Sequence, residues 1–171
     1  MGHRYGSDQQ PADLTKLRDV TIETAPLFDL PRDRMIPAKI LEVHDGDTLT
    51  AAVELCPDTF YSFRIRLEGV DTPELRPPLN EPNRKEIIAA AERARDFVRI
   101  LVLGKVVLMS VNGTDKFGRY LSCVHPAVES ESAVPASASL TKTVNDLLIE
   151  KGLGKVYLGG KRDSLLPVPK S

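Results

Sequence analysis

Three short stretches carry residues whose types and spacing could do chemistry together. The first, Asp45-Gly46-Asp47-Thr48, sets two carboxylates around a glycine. The second, Asp71-Thr72-Pro73-Glu74, sets two more three residues apart, and Arg66 precedes Asp71 by five positions. The third is Asp115-Lys116-Phe117-Gly118-Arg119. Each alone reads as ordinary turn chemistry: Asp-Gly is the commonest hairpin turn, and Asp with Gly three residues later suits a plain β-turn. Asp71 or Thr72 could also cap a helix, with Glu74 as a capping-box partner. Pro77 and Pro78 exclude that last reading, because proline lacks the amide that a helix needs past its first turn. The two acids therefore stand in a stiff, non-helical loop.

If the three stretches lie at strand ends of one small sheet, they gather Asp47, Asp71, Glu74, Arg66 and Arg119 into one polar pocket. Carboxylates that close repel and raise one another's pKa unless a cation neutralises them. Hard oxygen donors favour Ca²⁺ or Mg²⁺, and the lack of a Cys/His cluster argues against zinc. Two arginines tolerate each other best with an anion between them, and guanidinium suits bidentate phosphate contact. The set fits a divalent cation beside a phosphodiester. Arg64, on the same strand face as Arg66, competes for its role.

The elements that must position these residues are legible as patterns. IPAKILEV (36–43), TLTAAVEL (48–55) and FYSFRIRLEGV (60–70) read as three strands of a meander. Ile87, Ala91, Ala94, Phe97, Val98 and Leu101 recur at three and four residues, which predicts a helix over about 84–102, stopped by Gly104. KVVLMSV and GRYLSCVH read as two further strands joined through NGTDKFG. PAVESESAVPASAS (126–139) reads as a mobile Ser-rich loop. Leu140, Val144, Leu147 and Leu148 predict a second helix over 140–151, ended by Gly152, and KVYL a last extended segment. The fold class is α+β, a five-stranded sheet closing into a small barrel with packed helices. Residues 1–35 read as an irregular N-terminal extension with a short helix near 13–19, 36–158 as the domain, and 159–171 as a tail.

The bulk numbers fit one domain with a real core: 171 residues, 42% apolar and 27% charged. A net charge of −1 supplies no global positive field for nucleic acid, so polyanion binding must come from a local site. Residues 1–36 hold five basic and six acidic residues, leaving 18 of each sign, so no basic domain is hidden behind the leader. Cys56 and Cys123 lack disulfide-scaffold or metal spacing and read as half-buried thiols. No signal-peptide core or membrane-length apolar run is present, so the default is an intracellular, unanchored protein.

At this point IPAKILEVHDGDTLTA, FRIRLEGVDTPE, DKFGRYL and VNDLLIEKGLGKV together resemble the staphylococcal nuclease (thermonuclease) family, in order and separation, over residues 36–158. The resemblance implies an OB-type five-stranded barrel and Ca²⁺-dependent hydrolysis of DNA and RNA without sequence preference, leaving 3′-phosphates, with Mg²⁺ or Mn²⁺ as alternative cations. It implies Asp47 and Asp71 as metal ligands, Thr72 as a backbone-carbonyl ligand and Asp45 as an outer-shell acid. It implies Glu74 as general base and Arg66 and Arg119 as phosphate-gripping catalytic residues; the spacing to Asp71 selects Arg66 over Arg64.

The match departs in places. Leu158 stands where the family has a tyrosine, Phe117 replaces another, and the family's final helix is reduced or absent in KRDSLLPVP. The leader or a second subunit could cover the surface that helix leaves; the oligomeric state stays open, with a dimer among the options. His44 reads as a strand-end histidine, and Lys142 and Lys155 as solvated charges. The competing function is a nucleic-acid- or protein-binding module on the same barrel without strong catalysis.

Overall fold

In the computed structural model, alternation of apolar and polar residues builds five barrel strands: β1 (Ile36–Val43), β2 (Thr48–Cys56), β3 (Thr59–Leu67), β5 (Val106–Thr114) and β6 (Tyr120–His125). A two-residue strand β4 (Val70–Asp71), helix α1 (Arg84–Val102), helix α2 (Val144–Glu150) and a two-residue strand β7 (Lys155–Val156) complete the chain. The structure describes residues 21, 28–126 and 142–159. The chain divides into two compact units, Met1–Leu30 and Pro31–Ser171, and every element above belongs to the second. The expected helix near 13–19, the loop through 127–139 and the reduced final helix in the tail lie outside the described residues.

The barrel closes in the order β1-β2-β3-β6-β5, with β5 returning to β1. All neighbours are antiparallel except β3 and β6, which run parallel and pair Ile65 with Tyr120 and Arg66 with Leu121. A parallel pair cannot be joined by a tight hairpin, and here α1 and β5 make the return. That seam places the residue before Tyr120, which is Arg119, beside the strand that carries Arg66. The architecture is the α+β barrel expected from the patterns.

Ile40, Leu49, Ala51, Ile65, Met109, Val111 and Val124 have no exposed surface and fill the barrel. Full burial of each Val, Leu, Ile or Met side chain among them contributes about 1.5–3 kcal/mol. α1 buries Ile87, Ala90, Ala91, Ala94, Val98 and Val102. The stripe is rotated relative to expectation: Phe97 and Leu101 are half-buried, while Ala90 and Val102 take the core. Three alanines in the stripe leave room for the backbone of the site loops to approach. Among the described residues no helix is long and apolar enough to cross a bilayer.

Four local expectations change. The stretch 60–70 is not one strand, because Gly69 turns with a φ of 72° and delivers Val70–Asp71 to a separate two-stranded sheet with β7. β5 runs on through Asn112-Gly113-Thr114, with a register shift between Val111 and Thr114 that Gly113 accommodates at a φ of 129°. α2 begins at Val144 because Thr143 and Asp146 form a reciprocal capping box, and Lys142 lies outside it. Cys56 is exposed rather than half-buried, since it ends β2 beyond the core; Cys123 is half-buried, and burial pushes its thiol pKa up.

Candidate active site

The loop between β1 and β2 is built around a close approach. His44 N–H donates to Thr48 O at 2.9 Å, and Asp47 N–H donates to Asp45 Oδ1 at 3.0 Å, folding the acids back on the turn. Gly46 has no positive φ. A methyl group there would instead lie 2.8 Å from Thr72 side-chain atoms and 2.9 Å from Ala94 Cβ. Glycine is needed because the acidic turn is pressed between the loop after β4 and the alanine face of α1. Sequence reading gave this glycine to turn geometry; its true signal is the pairing of a small loop residue with an alanine-rich helix stripe.

Asp47 is 4% exposed and accepts four contacts. Its Oδ2 takes the Thr72 backbone N–H and hydroxyl, each at 3.0 Å, and lies 2.6 Å from Arg66 Nη1. Its Oδ1 takes the Thr48 hydroxyl at 3.1 Å. Arg66 Nη2 donates to Asp71 Oδ1 at 3.0 Å, so one buried guanidinium joins the two carboxylates expected to hold a metal. Arg66 Nη1 directs no aligned hydrogen bond at any acceptor despite that short contact with Asp47. Arg64 is exposed, whereas Arg66 is buried in this cluster.

Arg119 sits on the other side of the same hydroxyl. Its Nη1 donates to Thr48 Oγ1 at 3.0 Å, while Nε and Nη2 each lie 2.7 Å from Asp115 Oδ2. A continuous chain of polar contacts therefore runs Asp115–Arg119–Thr48–Asp47–Arg66–Asp71. Thr48 as the bridge and Asp115 as the clamp on Arg119 are roles that residue spacing did not assign. The sequence reading sets an anion between the two arginines; in this structure Arg66 lies against the buried Asp47 and the half-buried Asp71, because desolvated carboxylates need a countercharge.

Asp45, Asp47, Thr72, Glu74 and Arg119 line an open cavity of about 460 Å³. Its wall also includes His44 and Arg76. Glu74 reaches it on the non-helical loop that Pro73 and Pro77, both buried, hold in place. His44 has both ring nitrogens engaged, Nε2 with Thr50 Oγ1 at 2.7 Å and Nδ1 with Glu42 at 3.3 Å, consistent with a strand-end role. Burial, and then the Asp47 charge, push the Asp45 carboxyl up to about 6. At Asp115 burial is the largest single influence and acts upward, but N–H donors from Arg119 and Phe117 together outweigh it and hold the carboxyl below its usual range.

A model of the staphylococcal nuclease homologue family matches residues 64–165, more than half of the chain. The chain belongs to that family. Arg66, Asp71, Thr72, Glu74 and Arg119 fall within the matched residues, and Asp45 and Asp47 lie upstream of them. The chain is also similar to Protein ParB of Escherichia coli, 29% identical over 119 residues. That alignment takes in 70% of this chain and 56% of the relative, so the chain spans just over half the length of the curated relative it matches.

Among the described residues, no three carboxylate, imidazole or thiol side chains are clustered as a ready-made metal centre. The donor chemistry of this nuclease-family site nevertheless suits a hard cation. All the candidate ligands are oxygen atoms, and Asp45 is crowded by the charge of Asp47.

Proposed function

We propose that this chain is a Ca²⁺-dependent nuclease that hydrolyses phosphodiester bonds of DNA and RNA without sequence preference, using a domain that runs from 36 to 158. The observation that supports this most is the contact chain through Asp47: it joins two arginines and two carboxylates, and two of its members, Asp47 and Arg119, line the cavity whose wall also carries Glu74. Asp47, Asp71 and Thr72 would hold the cation, with Asp45 behind them, and Mg²⁺ or Mn²⁺ belong to the same oxygen-seeking class. When bound, the ion supplies Lewis-acid polarisation of a phosphate oxygen and lowers the pKa of an attacking water.

Glu74 orients that water and accepts its proton as the new oxygen–phosphorus bond forms opposite the leaving 5′ oxygen. The bond from phosphorus to the 5′ oxygen breaks, that oxygen takes a proton from solvent, and the products are a 3′-phosphate and a 5′-hydroxyl. Arg119, held by Asp115 on two of its nitrogens, presents a guanidinium that need not reorganise as charge grows on the equatorial oxygens. Arg66, with Nη1 buried 2.6 Å from Asp47 Oδ2, acts on the same charge from within the polar cluster. Asp115 is a positioning residue; Arg66, Glu74 and Arg119 are the catalytic ones.

The test is nicking of plasmid and digestion of single-stranded DNA. We expect activity with Ca²⁺, loss with EGTA, a rise in Tm on adding Ca²⁺ alone, and a fall of about 10²- to 10³-fold for Arg119→Ala with a comparable loss for Glu74→Gln. Folded protein inert with Ca²⁺, Mg²⁺ and Mn²⁺, yet retarding DNA in a gel, would replace this reading with that of a binding module.

A further inference from the structure

Val70–Asp71, the strand that delivers one proposed ligand, has no place in the barrel. Gly69 turns the chain away from β3 at a φ of 72°, so the barrel ladder ends before Asp71. β4 is two residues long, and a two-stranded ribbon of that length is not stable by itself. What fixes it is the segment from α2 to β7. Asn145, 4% exposed on α2, donates from Nδ2 to Glu68 O at 2.7 Å and to Ser122 O at 3.1 Å, and its Oδ1 accepts the Val124 N–H at 3.2 Å. The residue before the Gly69 turn is thereby tied to helix and barrel together. The turn after α2 folds back as the Leu153 and Gly154 N–H groups donate to Leu148 O, and β7 then pairs Lys155 with Asp71 and Val156 with Val70. Tyr157 N–H closes the ladder on Gly69 O at 2.9 Å. Each residue from Glu68 to Asp71 is held by this segment.

Gly154 sets how closely the two pieces of chain approach. It has no positive φ, so the turn does not require glycine. A methyl group there would lie 2.7 Å from Val70 Cγ2, 3.2 Å from Asp71 O and 3.4 Å from Thr72 Cγ2. Val70 is fully buried and its methyl has no room to step aside, while Asp71 O is main chain and moves only with the strand. The same Thr72 methyl would lie 2.8 Å from a methyl group on Gly46, in the turn between β1 and β2. Thr72 is therefore seated between two glycines, with its N–H and hydroxyl on Asp47.

We propose that α2 and β7 form the frame of the cation half-site, with Gly154 as the positioning residue that sets the backbone of Asp71 and Thr72. The inference rests on the nuclease reading for the identity of the ligands. Gly154 is not among the residues lining the cavity and acts through Asp71 and Thr72. Groups behind a metal ligand fix its aim, and a ligand whose strand has left the barrel has no other source of that precision. Asn145 anchors the frame at one end and the Tyr157 N–H at the other.

Amide exchange read by NMR on the metal-free protein, followed by calorimetric titration with Ca²⁺ alone, tests the frame. Gly154→Ala should speed exchange of the Thr72 N–H about tenfold and leave that of Ile40, in the barrel, unchanged. It should weaken Ca²⁺ binding by about 10- to 100-fold. Adding Val70→Ala removes the methyl in the way and should return part of both losses. A Tm well above the temperature of measurement checks folding; should Gly154→Ala not fold, Tyr157→Pro, which deletes the N–H on Gly69 O, carries the same test. A folded variant that keeps the natural Thr72 exchange, or the natural Ca²⁺ affinity, overturns the frame whatever its Tm. Faster Thr72 exchange in the variant of a chain whose natural form binds no Ca²⁺ keeps the positioning of the loop and sinks the Ca²⁺ reading.

Discussion

Two ion pairs of the same chemistry flank Thr48, and they are built for different work. Asp47 and Arg66 have side chains only 6% and 8% exposed, and the loop after β4 closes over them. Asp115 and Arg119, at 17% and 26%, stand on a turn at the cavity mouth, with Phe117 71% exposed and its ring 5.6 Å from the Arg119 guanidinium. A buried pair cannot lose one partner without stranding a desolvated charge, whereas a pair at the mouth stays within reach of water or a ligand. The inner pair therefore sets the shape of the site, and the outer pair presents a guanidinium to whatever enters.

The sharpest way to break the contrast is to delete each arginine and measure unfolding in urea. Arg66→Ala should cost about 3–5 kcal/mol, because Asp47 is left buried without a countercharge. Arg119→Ala should cost about 1 kcal/mol or less, while taking the larger toll on rate. Equal stability losses would end the distinction. Pairing Arg66→Met with Asp47→Asn should recover part of the loss, since neither charge then remains.

The Gly46 contact gives the next largest effect. Gly46→Ala forces a methyl group against Thr72 and Ala94, and overpacking of that kind costs about 1–3 kcal/mol. Adding Ala94→Gly should return part of it in the same denaturation experiment, whereas a cost untouched by Ala94→Gly would mean that the turn is not pressed on α1. Thr48→Val removes the hydroxyl that links the two pairs; it should cost about 1 kcal/mol and weaken the response of the rate to Asp115→Asn, which a double-mutant cycle measures.

The smallest effect is the pH response of the outer pair. The folded-state pKa of Asp115 is depressed, so its ionised form is favoured by folding. Its contribution is fully present above the unfolded value of about 3.9 and is lost as pH falls through the lower folded value. Asp115→Asn should flatten the acid limb of the stability curve in that window and leave the curve above about pH 5 parallel to the natural one. A curve that stays equally steep below pH 4 would remove the outer pair from the account.

Much of this was readable from residues alone. α1 was placed at 84–102 because its apolar residues recur at helical spacing and Gly104 ends it, both local facts. The non-helical loop with Asp71 and Glu74 followed from Pro77 and Pro78, whose covalent geometry forbids the alternative. The break at Gly69, the rotation of the α1 stripe onto Ala90 and Val102, and the capping box at Thr143 were visible as residue types, but the strand pattern and helix period masked them.

Residue identity determined which groups were on hand: oxygen donors, two guanidiniums and a stiff loop, each a property of short stretches of chain. The tertiary structure decided their company. Closure of the barrel through the parallel β3–β6 seam sets Arg119 beside Arg66's strand, and the close fit of Gly46 between Thr72 and Ala94 goes with the hydrogen bonds of Thr72 to Asp47. Contacts between residues 25 or 71 positions apart depend on the sum of every strand register between them, and no local spacing carries that sum.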